Sequence, residues 1–424
     1  MKIFLYVLTV FSLSSTLFLS AQTPEIKTLA DAKREGMKNQ KAKKYAEAIQ
    51  CYEKGAAIAK TPFEKQQMHG FAGLVYSLKK EYASAVAKYV EAASVEGITT
   101  DEKLLNLYYA GHYSSLKKDN ENAVKYFRES SGLKDIKKYR NLQLNCAIRL
   151  CSYLYSMKKY DDCIKEAEVF LAKTDNGGVI VNLAEVKADC LAAKKDLAGA
   201  KKVMEDVMQK KNLSDDLMLI CARKLAGLYA RERKFDKAAE ILEKVITENK
   251  NGKSINLRFT AMNEAAGYYN RMREYQKALL TVKKYENEIK NPGTKLSLYT
   301  TAMLASHQMK DSKGGLEWSK KAEEFLPASA SYLQYSFYDA KGKLLELAKD
   351  YASAEKAYLA VENIKGINKN YISAAYSNIA VMYYSRVKDL AKAKENMDKA
   401  KKYGKWYNAV IAKLIERDLA KQKK

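Results

Sequence analysis

Side chains able to act as nucleophiles, bases or metal ligands are scarce in this sequence: three histidines and six cysteines in 424 residues. His69, His112 and His307 are widely separated, and no HExxH, paired CxxC or ligand-spaced carboxylate cluster accompanies them. Cys151 and Cys163 fall in one segment and could be bridged if the chain is oxidised, or could serve as small apolar residues. Gly177-Gly178, in KTDNGGVI, follows no strand and reads as a turn rather than a phosphate cradle. This inventory points to no catalytic residue, no metal site and no cofactor.

The elements that would position such side chains begin after an export signal. Met1-Lys2 precedes an uncharged stretch from Ile3 to Ser20, and Ala21 offers a small residue at a cleavage point. An uncleaved anchor is the alternative, which the Ser and Thr residues of the stretch disfavour. No later run approaches membrane-spanning length. Lys2 is the one charged residue in 1–21, so cleavage lowers the net charge of +25 by one.

From residue 22 onward one unit recurs about ten times. Marking the residue after each short polar turn gives Tyr45, Tyr82, Asn120, Tyr160, Leu197, Phe235, Tyr275, Ser312, Tyr351 and Leu390, spaced 37 to 40 residues apart. Three residues on, every unit has a small residue: Ala48, Ala85, Ala123, Cys163, Ala200, Ala238, Ala278, Gly315, Ala354 and Ala393. Nine residues before the marker another is common, as in Gly36, Gly73, Gly111, Cys151 and Gly342. Apolar residues at helical spacing on both sides of the turn make each unit two helices, closely packed at the small positions. Pro62, Pro292 and Pro327 fall between units, where a missing N–H costs least.

This pattern resembles the tetratricopeptide repeat over roughly residues 28–403. A Gly or Ala stands in the first helix, an aromatic follows the turn, and Ala comes three residues later. Tyr52, Tyr89, Phe127, Met204, Leu242 and Tyr358 take the apolar position four beyond that. The period departs from the family's usual 34, by longer helices or longer turns between units. The resemblance implies an all-α, right-handed solenoid of helix-turn-helix repeats over 22–404. Residues 405–424, with Trp406, Val410, Leu414 and Ile415 at helical spacing, would form a capping helix and basic tail.

The resemblance further implies a concave groove lined by the first helices that holds a peptide or partner protein. Carried over unit by unit, the groove positions are Tyr108 and His112, then Asn145 and Tyr155, then Asn182 and Asp189. Arg223 and Arg231 follow, then Asn263, Asn270 and Arg271, and finally Asn378 and Arg386. Asn could bond an extended backbone with donor and acceptor, and Arg could fork onto a carboxylate. The family's carboxylate clamp, with Lys and Asn, then Asn, then Lys and Arg in successive units, has no counterpart here.

Two functions from different classes follow. One is an exported, non-enzymatic scaffold binding protein partners in a bacterial cell envelope through the groove. The other is a structural protein whose lysine-rich face binds a polyanion or an anionic envelope component. Nucleic acid is disfavoured by export and by the lack of a recognised nucleic-acid module.

Overall fold

The computed structural model describes residues 26–210, 213–248 and 253–422; the export signal read at 1–21 lies outside the described residues. These contain helices and no strand. The chain divides into two compact units, one ending at Lys194 and the other beginning at Lys195.

The first unit contains four helical hairpins and a further helix. Leu29–Lys41 pairs with Tyr45–Ile58, Pro62–Leu78 with Tyr82–Ala93, Thr100–Leu116 with Asn120–Gly132, and Arg140–Ser156 with Tyr160–Leu171; Gly177–Ala193 follows. The second unit starts with Leu197–Met208 and continues with five hairpins. They pair Asp215–Arg231 with Phe235–Glu248, Ile255–Arg271 with Tyr275–Tyr285, Pro292–Gln308 with Ser312–Glu323, Ser331–Leu347 with Tyr351–Leu359, and Lys369–Met382 with Leu390–Tyr403. Helix Ala409–Gln422 ends it. Each of the ten marked positions is the first residue of a second helix. The long period has a simple origin: the first helices of repeats two to nine are each 17 residues long.

Local chemistry explains the boundaries. Thr28, Thr61 and Thr99 accept the N–H of the residue three positions on, whose carboxylate returns the bond, so the free donors of a helix start are satisfied on both sides. Pro62 and Pro292 occupy the first turn of their helices, where no partner for a proline N–H is needed. Asp119, Asp196, Asp311, Asp350 and Asp389 cap second helices by accepting the N–H three residues on, with no returning carboxylate.

The turn inside repeats one to four and six to nine is a Schellman closure, and repeat ten closes one residue wider, from the Asp389 N–H to the Tyr383 carbonyl. In repeat two the Lys80 N–H bonds the Ser77 carbonyl at 2.9 Å and the Glu81 N–H reaches back to Tyr76 at 3.0 Å. That closure needs a left-handed residue, usually glycine, yet in every repeat the position is basic. Lys43, Lys80, Lys118, Lys158, Lys195, Arg233, Arg273, Lys310, Lys349 and Lys388 all have φ between 58° and 69°.

The hairpins lock by setting a ring against a glycine. A Cβ on Gly36 would stand 2.5 Å from Tyr52 Cε1, and one on Gly73 2.9 Å from the Tyr89 ring. Gly111 meets Phe127 at 2.9 Å, and Gly342 is seated against Tyr358 in the same way. Tyr52, Phe127 and Tyr358 are in consequence almost wholly buried. The glycine is therefore required by the ring seven residues after the marker, while the alanine three after it fills the adjoining interface with no exposed surface. In repeat eight, which has Ser319 in place of the ring, Leu344 of the next repeat packs on Gly315 instead.

The C-terminal helix departs from the sequence expectation. It begins at Ala409 because Asn408 caps it, accepting from the Ile411 N–H at 3.1 Å. Its buried residues are Ala412 and Ile415, whereas Val410 is 69% exposed. Trp406 precedes the helix and stands edge-on to the Tyr371 ring at 5.0 Å.

Glycine substitutions separate the two kinds of site. Gly73→Ala and Gly111→Ala should each lose about 1–3 kcal/mol, because the facing ring must move. Gly227 and Gly267 have no atom within 4 Å of a Cβ, so alanine there should gain about 0.5–1 kcal/mol of helix stability. Urea unfolding of the four variants checks the opposite signs.

Candidate functional site

In the second unit, most of the side chains assigned to a groove are engaged between neighbouring first helices. Arg223 forks onto Glu264 of the next repeat at 2.9 and 2.6 Å. Asn263 Nδ2 donates to Ser297 Oγ at 2.8 Å, and its Oδ1 accepts from Thr301. Asn270 Nδ2 donates to the Thr301 carbonyl at 2.9 Å, and Asn378 Nδ2 to Asp339 Oδ1 at 2.7 Å. These bonds fasten repeat six to seven, seven to eight and nine to ten. Arg231, Arg271 and Arg386 are exposed. Arg231 and Arg271 are the last residues of their first helices, with the Arg271 guanidinium over the Phe235 ring at 5.4 Å. Arg386 lies in the π-turn Tyr383–Val387, which extends the first helix of repeat ten.

In the first unit, Tyr108, His112 and Asn145 gather around a residue the sequence reading passed over. Tyr108 and His112 stack nearly parallel with centroids 6.2 Å apart. The Arg149 guanidinium caps the Tyr108 ring at 5.7 Å and donates from Nε to Asn145 Oδ1 at 2.8 Å. Burial, and then the Arg149 charge, push the His112 imidazole below its ordinary pKa, so it is neutral near pH 7. Tyr155 is elsewhere, beside the turn of repeat four and 5.7 Å from Tyr160. Asn182 Nδ2 bonds the Gly178 carbonyl of its own helix at 2.7 Å. Cys151 and Cys163 face each other as free, buried thiols, with Cys163 Sγ 3.2 Å from the Cys151 carbonyl.

A concavity lined by apolar and aromatic residues lies one repeat earlier. It is a groove of about 560 Å³ between the first helices of repeats two and three, walled by the segment leading into repeat four. Phe63, Phe71, Leu74, Tyr89, Tyr109 and Tyr139 supply apolar and aromatic surface, with Phe63 half exposed. Two amides bridge its floor: Asn106 Nδ2 donates to Gln66 Oε1 at 2.8 Å, and both residues are buried. Gln67 also lines the groove. Gly70 leaves the wall open; a Cβ there would meet Asn106 Oδ1 at an ordinary 3.7 Å.

Asp101 holds the third wall. Its carboxylate accepts the backbone N–H groups of Lys137, Lys138 and Tyr139 at 3.2, 3.0 and 3.0 Å. Desolvation raises its pKa, but the bonds from Tyr139, Lys137 and Lys138 outweigh it, and the net shift is downward. Sequence patterning missed this groove because Gln66, Gln67 and Asn106 read as ordinary polar helix residues. A signal was present in Phe63 and Leu74, large apolar residues outside the buried stripe.

Among the described residues no group of three His, Cys, Asp or Glu could hold a metal ion, and no helix is long and apolar enough to cross a membrane. The groove offers aromatic contact and amide hydrogen bonds, with no arrangement of nucleophile and base.

A lowered carboxyl pKa adds stability above the unfolded-state value, and that stability is lost as pH falls through the folded one. The wall segment should thus stay docked above about pH 4 and loosen below it. Asp101→Asn should loosen it at neutral pH, read as faster hydrogen exchange at the amides of Lys137, Lys138 and Tyr139.

No protein-family model matches the chain, and no curated protein matches its sequence. Among solved structures, a tetratricopeptide repeat protein from Parabacteroides merdae is similar at 12% identity and a TM-score of 0.38, covering 66% of this chain and 98% of its own. The structure of the APC/C hetero-tetramer Cut9–Hcn1 is similar at 11% identity and a TM-score of 0.41, covering 97% of this chain and 88% of that one. The repeat assignment rests on the hairpins of this chain itself, not on these likenesses. With a ring seated on a glycine in four of its hairpins, and a second helix starting at every marked position, the described chain is an all-α array of repeated helical hairpins.

Proposed function

We propose that the protein is an exported, non-enzymatic scaffold that holds an extended segment of a partner protein in the groove of repeats two and three. The observation that carries this is a groove with aromatic walls, Phe63 half exposed among them, over a floor of paired amides. An apolar side chain of an extended segment covers Phe63, Phe71 and Tyr109. The amides of Gln66 and Asn106 suit a neutral backbone rather than a charged group. Export is supported by the apolar stretch from Ile3 to Ser20 and the small residue at Ala21, and on this reading the protein works in a bacterial envelope or outside the cell.

The test is photocrosslinking in the native cell from position 70, followed by binding of the captured partner to purified protein. Gly70→Phe should weaken that binding at least about tenfold by filling the groove and leave the melting temperature unchanged. Binding should persist near about 0.5 M salt, where the Debye length is only a few ångströms. Equal affinity for wild type and Gly70→Phe would remove the groove from the function.

A further inference from the structure

The ten basic residues in the intra-repeat turns pose a problem that the fold does not answer. A left-handed backbone costs an L-residue about 1–2 kcal/mol, which glycine avoids. All ten are exposed. Among the described residues none of these ten side chains forms an ion pair or a hydrogen bond. The basic residue next in line often does: Lys79 pairs with Glu81, Lys117 with Asp119 and Lys159 with Glu121. Acidic groups at the turns are thus matched by these second lysines, and the strained ones are left uncompensated. Attraction to the carbonyl end of the first helix favours a base anywhere in its last turn and does not require the left-handed position.

In the first unit these side chains share one edge. Successive first helices touch, as at Gln66–Asn106 and Tyr108–Arg149, and each second helix reverses the chain. The turns carrying Lys43, Lys80, Lys118 and Lys158 therefore follow one another along the same end of the first helices. Apolar side chains are interleaved with them: Leu78 and Leu116, each two residues before its lysine, are both 47% exposed, and Tyr155 is 39% exposed. A nucleic acid or an acidic polysaccharide would match the charge but leave the leucines without a partner. A lipid surface takes both, with headgroups for the lysines and the acyl boundary for the leucines.

We infer that the turn edge of repeats one to four is a docking surface for an anionic phospholipid membrane. The protein lies on the bilayer through this edge, and the groove of repeats two and three stays accessible to a protein partner. This surface is distinct from the groove, and neither depends on the other.

The experiment is co-sedimentation of the full chain with mixed phosphatidylglycerol–phosphatidylcholine vesicles, with phosphatidylcholine vesicles as reference. The test variant combines Lys43→Gly, Lys80→Gly, Lys118→Gly and Lys158→Gly. Wild type should bind the anionic vesicles and release as salt rises, and the variant should lose about fivefold in partitioning for each lysine removed. Its melting temperature should be no lower than wild type, because glycine relieves the left-handed strain. Leu78→Ser with Leu116→Ser should weaken vesicle binding without changing retention on heparin, whereas Gly70→Phe should bind vesicles as wild type does. Wild type and variants share residues 1–25, so any contribution of that apolar segment cancels. Equal binding to neutral vesicles, unchanged binding by the glycine variant, or retention on heparin without vesicle binding would each overturn the inference.

Discussion

In repeats one, two, three and nine, a tyrosine or phenylalanine ring lies where the facing helix has no Cβ, and the two backbones close to the distance this permits. The register of each of these hairpins follows from that contact, because sliding either helix by one residue puts the ring against a side chain. With the hairpin set, the first helix presents the same faces in every repeat. One stripe is buried against its partner, a second meets the neighbouring repeat, and a third faces outward. The cores of the two units are built from these repeated stripes, with Ala48, Ala85, Ala123, Ala238 and Ala354 wholly buried at equivalent positions.

The stripe between repeats carries the polar surprise of the structure. Arg223–Glu264, Asn263–Ser297 and Asn378–Asp339 join first helices of adjacent repeats. Apolar burial alone discriminates poorly between nearby registers of two helices. Directional bonds at fixed positions discriminate well, since a shift leaves partly buried donors unmatched. These asparagines and arginines hold the repeats of the second unit together, while the first unit carries the aromatic groove around Gln66, Gln67 and Asn106.

The turns add a second constraint. The turn within each hairpin demands a left-handed residue, and this chain meets the demand with lysine or arginine in all ten repeats. Part of the net charge of +25 thereby becomes a regular feature of the turns as well as of the second helices. Charge at an edge is available to a flat partner in a way that charge spread over a convex face is not.

Helix type, hairpin boundaries and repeat number were legible in the sequence because they follow from local rules. Small residues at fixed offsets, turn lysines beside Asp or Glu, and prolines between units all act within a few residues of where they stand. The site was far less legible. Whether Asn263 bonds a ligand or Ser297 of the next repeat, or whether Asn106 bonds a ligand or Gln66, depends on residues 34 and 40 positions away. The same limit applied to Trp406, read as part of the final helix but placed outside it by the Asn408 cap. The sequence by itself determined the repeating hairpin, since its periodic pattern encodes contacts inside one unit. Only the tertiary structure decided which polar side chains hold the stack and which remain for a partner, because contacts between units fix the neighbours of each side chain.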